Sequence, residues 1–498
     1  MPNVNAPSNT VPADPAAAPV LGALSAAQAG GVQEMLQVNP VAIDIARRFA
    51  AAGFRLALVG GSVRDALLGR LGNDLDFTTD ARPQQVLKLV KGWADAVWDV
   101  GIAFGTVGAR KDTADGSFQI EITTYRSEAY DRTSRKPQVT YGETIEEDLV
   151  RRDFTVNAMA LDLPGEDFID PHRGLDDLAA RVLRTPGTPE ESFSDDPLRM
   201  LRAARFAAQL DFDVAPEVVA AMSAMAERIT IVSAERVQAE LNKLVLAAHP
   251  RKGLRLLVET GLADHVLPEL PALRLERDEH HRHKDVYEHT LTVLEQAIAL
   301  ETDGPDLVLR MAALLHDIGK PRTRRFESDG KVSFHHHEVV GAKMTRRRLQ
   351  ELKYSKELTE DVSRLVELHL RFHGYGSGEW TDSAVRRYVR DAGPLLERLH
   401  KLTRSDCTTR NRKKAAVLSR TYDALEERIE RLREQEQLDA IRPDLDGNQI
   451  MEILGIRPGR DVGRAYHYLL ELRLENGPLE HEAAVARLKE WWALQQES

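Results

Sequence analysis

Leu58-Val59-Gly60-Gly61-Ser62-Val63-Arg64-Asp65, followed shortly by Asn73-Asp74-Leu75-Asp76-Phe77, sets a strand, a glycine pair, a helix and a second strand in a row. The apolar run from Arg55 to Val59 reads as the first strand. Two glycines after it let backbone approach a ligand closely, and the helix over 63–68 offers free N–H groups to phosphate at its start. Arg64 lies one turn inside, placed to neutralise a triphosphate. On the second strand residues i and i+2 share a face, so Asp74 and Asp76 project together while Leu75 and Phe77 enter the core. Paired carboxylates repel unless a cation lies between them. Mg²⁺ suits that role, because it takes one or two carboxylates plus phosphate oxygens. Glu121, within a strand over 119–123, is a candidate third acid.

Outward from this stretch the pattern continues as α/β. A helix over 41–52 precedes it, and strands over 105–109 and 118–125 follow. Beyond about residue 170 the strand signals fade into long segments with apolar residues every three or four positions, such as 197–209, 234–247 and 307–316. The expected fold class is α+β: a small α/β head followed by an all-helical neck, body and tail. The expected organisation is a disordered tail over 1–37, a head over 38–165, a neck over 166–270, a histidine-rich helical domain over 271–425 and a helical tail over 426–498. With 42% apolar and 29% charged residues in 498, the chain has a globular composition, neither disordered nor fibrous. A net charge of −11 excludes a uniformly basic nucleic-acid binder, so a polyanion must bind at local arginine clusters. No stretch approaches about 18 uninterrupted apolar residues, which excludes a membrane-spanning helix. One cysteine, Cys407, excludes a disulfide framework and a CxxC zinc site. No Lys or Arg precedes Arg47, so the basic start of a secretory or transit signal is missing and a cytoplasmic location is expected.

The glycine-rich stretch with its following DLDF resembles the signature of the class II tRNA nucleotidyltransferase and poly(A) polymerase superfamily. Arg151-Arg152-Asp153-Phe154-Thr155-Val156-Asn157-Ala158 resembles that family's second motif, and 192–201 with the arginines beyond resembles its nucleotide-selecting motif. The resemblance implies nucleotidyl transfer with Mg²⁺ on Asp74 and Asp76. It implies nucleotide contacts from Gly60, Gly61, Arg64, Arg152, Asp153 and Asn157, the last two toward the ribose. It also implies that 127–142, with Arg132, Arg135 and Lys136, is a loop needed to switch from C to A addition and in contact with RNA.

Asp196, Arg199, Arg202 and Arg205 recur every three residues, a slowly drifting stripe on a helix. A carboxylate only accepts hydrogen bonds and a guanidinium only donates. Asp196 accepting from an exocyclic amino group while Arg199 donates to the ring nitrogen beside it would take cytosine or adenine. Uracil and guanine would meet donor against donor and acceptor against acceptor. Unpaired buried polar groups discriminate by ~10⁴-fold. Arg202 and Arg205 are then expected at the triphosphate or the primer end.

Farther along, His289, His316-Asp317, His337, His369 and Asp406 follow the order H…HD…H…H…D, which resembles the HD phosphohydrolase superfamily. The resemblance implies one divalent metal on His289, His316, Asp317 and Asp406, with His337 and His369 serving a second metal or the scissile phosphate. Imidazole with carboxylate suits Mn, Fe, Ni or Zn. In the tail, the glycine-punctuated 454–464 carries Arg457, Arg460 and Arg464 at a helix start and resembles the C-terminal region of HD-containing tRNA nucleotidyltransferases. Arg457 and Arg460 are expected on RNA. The function expected is addition of C, C and A from CTP and ATP to tRNA, with a companion HD phosphohydrolase activity and no obligate protein partner. The alternatives are an A-adding enzyme or poly(A) polymerase, and an HD hydrolase whose head only binds RNA.

Overall fold

The computed structural model describes residues 25–70, 72–99, 101–102, 105–114, 116–126, 141–274, 285–328, 332–372, 380–408, 411–436 and 442–496. The loop expected to carry Arg132, Arg135 and Lys136 lies outside them. Two compact units divide the chain: residues 1–232 with 247–262, and 233–246 with 263–498.

The first unit begins with α1 (Ala26–Val38) and α2 (Pro40–Ala51). The chain then runs through β1 (Leu56–Val59), α3 (Gly61–Leu67), β2 (Asp74–Thr79), α4 (Pro83–Val90), β3 (Ala96–Trp98), β4 (Thr106–Thr113) and β5 (Gly116–Thr124). After α5 (Ile145–Leu149), β6 (Ala160–Leu163) and β7 (Asp167–Ile169) complete a seven-stranded sheet of order β3-β4-β5-β2-β1-β6-β7. Within this sheet, among the described residues, β2 and β5 alone pair parallel, which sets Asp74 beside Gln119 and Asp76 beside Glu121. All four residues of β1 are buried, as a central strand covered on both faces requires. In β2, Leu75 and Phe77 are buried, whereas Asp74 is exposed and Asp76 half-buried, so the expected alternation holds where the carboxylates stand.

The unstructured tail expected over 1–37 is corrected in its last part. Ser25 caps α1 in a reciprocal box with Gln28, and Val32, Met35 and Leu36 are buried. Gly31 permits this docking: a Cβ there would lie 2.6 Å from the carbonyl oxygen of Ala66 in α3. The segment is S-x-x-Q before apolar residues at helical spacing, a start signal legible in the sequence.

Next come α6 (Gly174–Ala180), β8 (Val182–Leu183), α7 (Pro189–Asp195), α8 (Leu198–Leu210), β9 (Asp213–Val214) and α9 (Pro216–Met225), with β8 and β9 forming a parallel pair. The neck expected over 166–270 is not one body. α10 (Ala234–Val245) belongs to the second unit and α11 (Pro250–Glu259) to the first.

The second unit continues with α12 (Leu262–Val266), α13 (Val286–Ala299), α14 (Leu307–Leu315), α15 (Lys320–Thr323), a ribbon of β10 (Arg325–Phe326) and β11 (Val332–Ser333), α16 (His337–Glu351) and α17 (Lys356–Leu368). It ends with α18 (Asp382–Ala392), α19 (Leu396–Ser405), α20 (Arg412–Glu436), α21 (Gly447–Leu454), α22 (Arg460–Asn476) and α23 (His481–Gln496). Asp285 and Asp306 cap α13 and α14, accepting from the first-turn amides of each helix. The last three helices share an apolar cluster of Leu445, Ile450, Ala465, Leu469, Ala484 and Leu488, with Trp491 packed on it and stacked on Tyr468. Among the described residues no helix is long and apolar enough to cross a membrane.

Candidate functional sites

In the first unit the glycine turn, β2 and the 152–157 segment converge. Gly60 adopts φ 69°, the left-handed region that glycine tolerates. A Cβ there would stand 3.1 Å from Arg152 Nη1 and 3.7 Å from Asp76 Oδ2. Ser62, which the sequence reading passed over, joins the turn to the acidic strand. Its hydroxyl donates to the carbonyl of Asp74 (3.0 Å) and accepts from the amide of Asp76 (3.1 Å). Burial raises the Asp76 pKa, Arg152 opposes that rise, and Glu121 and Asp74 reinforce it. Three acids thus crowd one edge, where a divalent cation relieves their repulsion. A cleft of about 210 Å³ opens there, lined by Gly61, Ser62, Asp65, Arg70, Asp74, Asp76 and Met35 of α1.

Behind the turn a charged network fixes the other expected contacts. Arg64 is buried; it donates to both Asp65 oxygens (2.9 and 2.7 Å) and to Asn157 Oδ1 (2.6 Å). Asn157 donates in turn to Asp153 Oδ1 (2.9 Å), and Arg202 binds Asp153 Oδ2 through Nε (2.8 Å) and Nη2 (2.5 Å). Burial would raise the Asp153 pKa, but Arg202, with Asn157, holds it far below the usual carboxylate range. The guanidinium groups of Arg64, Arg202 and Arg205 gather around one ring, Phe206, at 5.2, 5.5 and 3.9 Å. Arg64 was expected to face a triphosphate; its donors are instead directed inward. Arg205 is likewise buried and bonded to Gln209 (2.8 Å). Arg152 pairs with Asp148 (3.0 Å) and stays at the turn.

Asp196 and Arg199 sit one turn apart at the start of α8. Asp196 Oδ1 accepts from the amide of Leu198 (3.1 Å). Arg199 is held by Ser192 Oγ (2.9 Å) and the carbonyl of Arg151 (2.5 Å). The structure therefore braces the guanidinium against the 151–157 segment, a connection that spacing along the helix does not show.

In the second unit six expected ligands come together. Asp406 Oδ1 lies 2.9 Å from His289 Nε2 and 3.7 Å from His316 Nε2. Asp317 faces two ways: Oδ2 toward His316 (3.2 Å) and His289 (3.6 Å), Oδ1 toward His337 (3.3 Å) and His369 (4.0 Å). Two three-residue sets result, His289 with His316 and Asp406, and Asp317 with His337 and His369, the ligand atoms of each within 4.8 Å of one another. Nδ1 of His316, His337 and His369 is bonded to the carbonyl of Ala313, Phe334 and Val366 respectively (2.8, 2.8 and 2.7 Å). Each ring thus turns Nε2 inward, where none of the three makes a hydrogen bond of good geometry. Buried, unpaired imidazole nitrogens around shared carboxylates could hold a divalent metal ion. Burial and the neighbouring His316 push the pKa of His369 down to about 3, keeping it neutral and able to ligate. Gly319 is a second omission of the sequence reading: a Cβ there would meet the carbonyl of His337 at 2.1 Å, so only glycine lets α16 come this close. Arg457 and Arg460 are exposed at the α21–α22 turn.

Three family models match the chain: a poly A polymerase head domain over residues 56–184, a probable RNA and SrmB-binding site of polymerase A over 211–273, and an HD domain over 286–411. An A-adding tRNA nucleotidyltransferase of Deinococcus radiodurans is 34% identical across 84% of this chain and 91% of its own. A CCA-adding enzyme of Streptococcus gordonii is 41% identical, across 47% of this chain and 56% of its own. The chain thus spans about half the length of that CCA-adding relative. In fold it resembles the Bacillus stearothermophilus CCA-adding enzyme solved with CTP, with a TM-score of 0.67, 23% identity, and coverage of 92% of this chain and 99% of that one. The Thermotoga maritima CCA-adding enzyme solved with tRNA gives a TM-score of 0.57 at 17% identity, over 93% and 98% of the two chains.

Proposed function

The chain belongs to the tRNA nucleotidyltransferases built on a poly(A) polymerase head, and on that premise we propose that it adds C, C and A to the 3′ end of tRNA from CTP and ATP. The observation that carries the reading is the Asp74–Asp76 pair, tied by Ser62 to the glycine turn and joined by Glu121. The terminal hydroxyl of tRNA forms a bond to the α-phosphorus in line with the bond that breaks, and pyrophosphate leaves. Asp74 and Asp76 would hold Mg²⁺, which supplies a lowered pKa at the attacking hydroxyl and neutralises charge on the leaving group. Gly60 and Gly61 open the backbone to the phosphates, and Arg152 stands beside them. Asp153 and Asn157 serve the ribose from a rigid network that Arg64 and Arg202 hold. Asp196 and Arg199 read the base, while Arg205 supports Arg202 through Phe206. Arg132, Arg135, Lys136, Arg457 and Arg460 contact the RNA, and the cytoplasm is where that substrate is met.

The HD centre is the second part of the proposal. His289, His316, Asp317 and Asp406 would hold one transition metal, Mn, Fe, Ni or Zn, with Asp317, His337 and His369 able to hold another. Bound there, such ions supply an activated water for hydrolysis of a phosphate ester. Addition of A alone is the rival reading of the head, favoured by the match along nearly the whole A-adding relative. Incubation of tRNA lacking its 3′ end with CTP alone, ATP alone and both decides between them. Incorporation of C, C and A, then arrest, supports the first reading; A without C supports the rival; no incorporation with Mg²⁺ refutes both.

A further inference from the structure

Between the two halves of the ligand set the chain makes a ribbon that the chemistry above does not use. Asp317 precedes it and His337 follows it, so both its ends are anchored at the centre. Arg325 stands opposite Ser333, and Phe326 opposite Val332. Alternation gives the ribbon two faces. One carries Arg325 and Glu327, where Glu327 accepts from the Ser333 hydroxyl and lies 3.9 Å from His335.

The other face is different. Phe326 is 68% exposed, with the guanidinium of Arg324 at 4.8 Å from its ring centre. The face continues past Val332 to Phe334, whose ring lies 5.8 Å from Lys320 Nζ. That ammonium is 2.6 Å from Asp317 Oδ2, and the carbonyl of Phe334 accepts from His337 Nδ1. One exposed phenylalanine is ordinary on a surface. Here two rings each have their own cation, and the cation beside Phe334 is in contact with a ligating carboxylate.

We propose that this face is a binding track for the single-stranded end of a polynucleotide. Bases stack on Phe326 and Phe334, phosphates meet Arg324 and Lys320, and the terminal phosphate arrives at the HD centre. The track rests on the reading of that centre as a phosphohydrolase. Phe334 stands two residues beyond the partner of Phe326, a diagonal cross-strand step of about 7–8 Å that an extended, unstacked nucleotide chain spans. Among the described residues the face carries cations and aromatic rings with no carboxylate before Asp317, which matches a polyanion with π-faces.

The test uses the full chain in EDTA and a short oligoribonucleotide with a 3′-phosphate and 4-thiouridine at its last position. After irradiation, cross-linked peptides are mapped by mass spectrometry. Cross-links are expected within 320–336, with a yield that falls about fivefold or more in Phe326→Ala and persists in Phe326→Trp. Cross-links confined to other segments, or an unchanged yield in Phe326→Ala, would overturn the track. Hydrolysis of p-nitrophenyl phosphate by the Mn²⁺-loaded wild type is followed separately. Its absence refutes the hydrolase reading without touching the cross-linking result.

Discussion

Replacing Arg202 by Gln tests whether the buried network, and not the turn alone, holds the 152–157 segment in place. The substitution removes two donors from Asp153 and leaves that carboxylate, 7% exposed, with Asn157 and the Phe154 amide. Breaking a buried ion pair costs about 3–5 kcal/mol. The Arg202 side chain is 33% exposed, so solvent screening puts the cost near the lower end, about 3 kcal/mol. The Asp153 pKa is depressed in the fold, so this stabilisation is complete above the unfolded carboxylate pKa and is lost as pH falls through the lower, folded value. At neutral pH the full effect is therefore expected. A chain of two compact units does not unfold in one step, so the readout is hydrogen exchange at the amides of Phe154, Asn157 and Ala158. About 3 kcal/mol corresponds to roughly 150-fold faster exchange. Asp153→Asn alone exposes less unpaired charge, because Arg202 reaches water, and the double variant is expected to fall short of the sum by about 1.5–3 kcal/mol. Strict additivity, or an exchange increase below about fivefold in Arg202→Gln, would refute the reasoning.

Other outcomes follow from the same geometry. Asp76→Asn is expected to lower C and A incorporation by about a thousandfold or more, with an unchanged circular dichroism spectrum. Ser62→Ala removes both bonds between the turn and β2, and single-turnover rates should fall by about tenfold while the native mass and melting profile persist. Ser192→Ala removes the side-chain brace on Arg199 and leaves the Arg151 carbonyl, so the ratio of CTP to UTP incorporation should drop; an unchanged ratio would show that the Ser192 brace does not set selectivity. Asp317→Asn is expected to reduce the metal retained after dialysis, measured by elemental analysis, more than either His289→Ala or His369→Ala alone, because its two oxygens face the histidines of both sets. Gly31→Leu brings a side chain against the Ala66 carbonyl and should detach α1, seen as faster proteolysis near residue 39 and a higher KM for nucleotide.

Legibility in the sequence followed the range of the interactions involved. The alternation in Leu75-Asp76-Phe77 and the spacing of His316-Asp317 are local, and the structure keeps Asp74 with Asp76 and gathers all six HD residues. Arg64 reads locally as a free cation at a helix start. Besides the adjacent Asp65, it binds Asn157, 93 residues away, and burial next to Phe206 required such charge-assisted bonds. Arg199 is similarly fixed by a carbonyl 48 residues distant. α1 was missed although its capping box is local, because an alanine- and glycine-rich segment next to a Pro-rich one reads as unstructured until Gly31 is seen to admit a neighbouring carbonyl. Gly319 and Ser62 lie inside the recognised motifs, yet their roles depend on what approaches them in space.

The exchange of α10 and α11 between the units has a practical corollary for dissecting the chain. A fragment cut after Val232 would keep α8 but strip away α11, whose Gly253 lies so close that a Cβ would stand 2.4 Å from the Ala204 carbonyl. Extending the fragment to Leu262 restores that cover, at the expense of carrying α10 without the helices it packs among. The two units of this polypeptide are therefore not separable by a single scissor cut, and any recombination that shuffles them must preserve the crossing between residues 232 and 263.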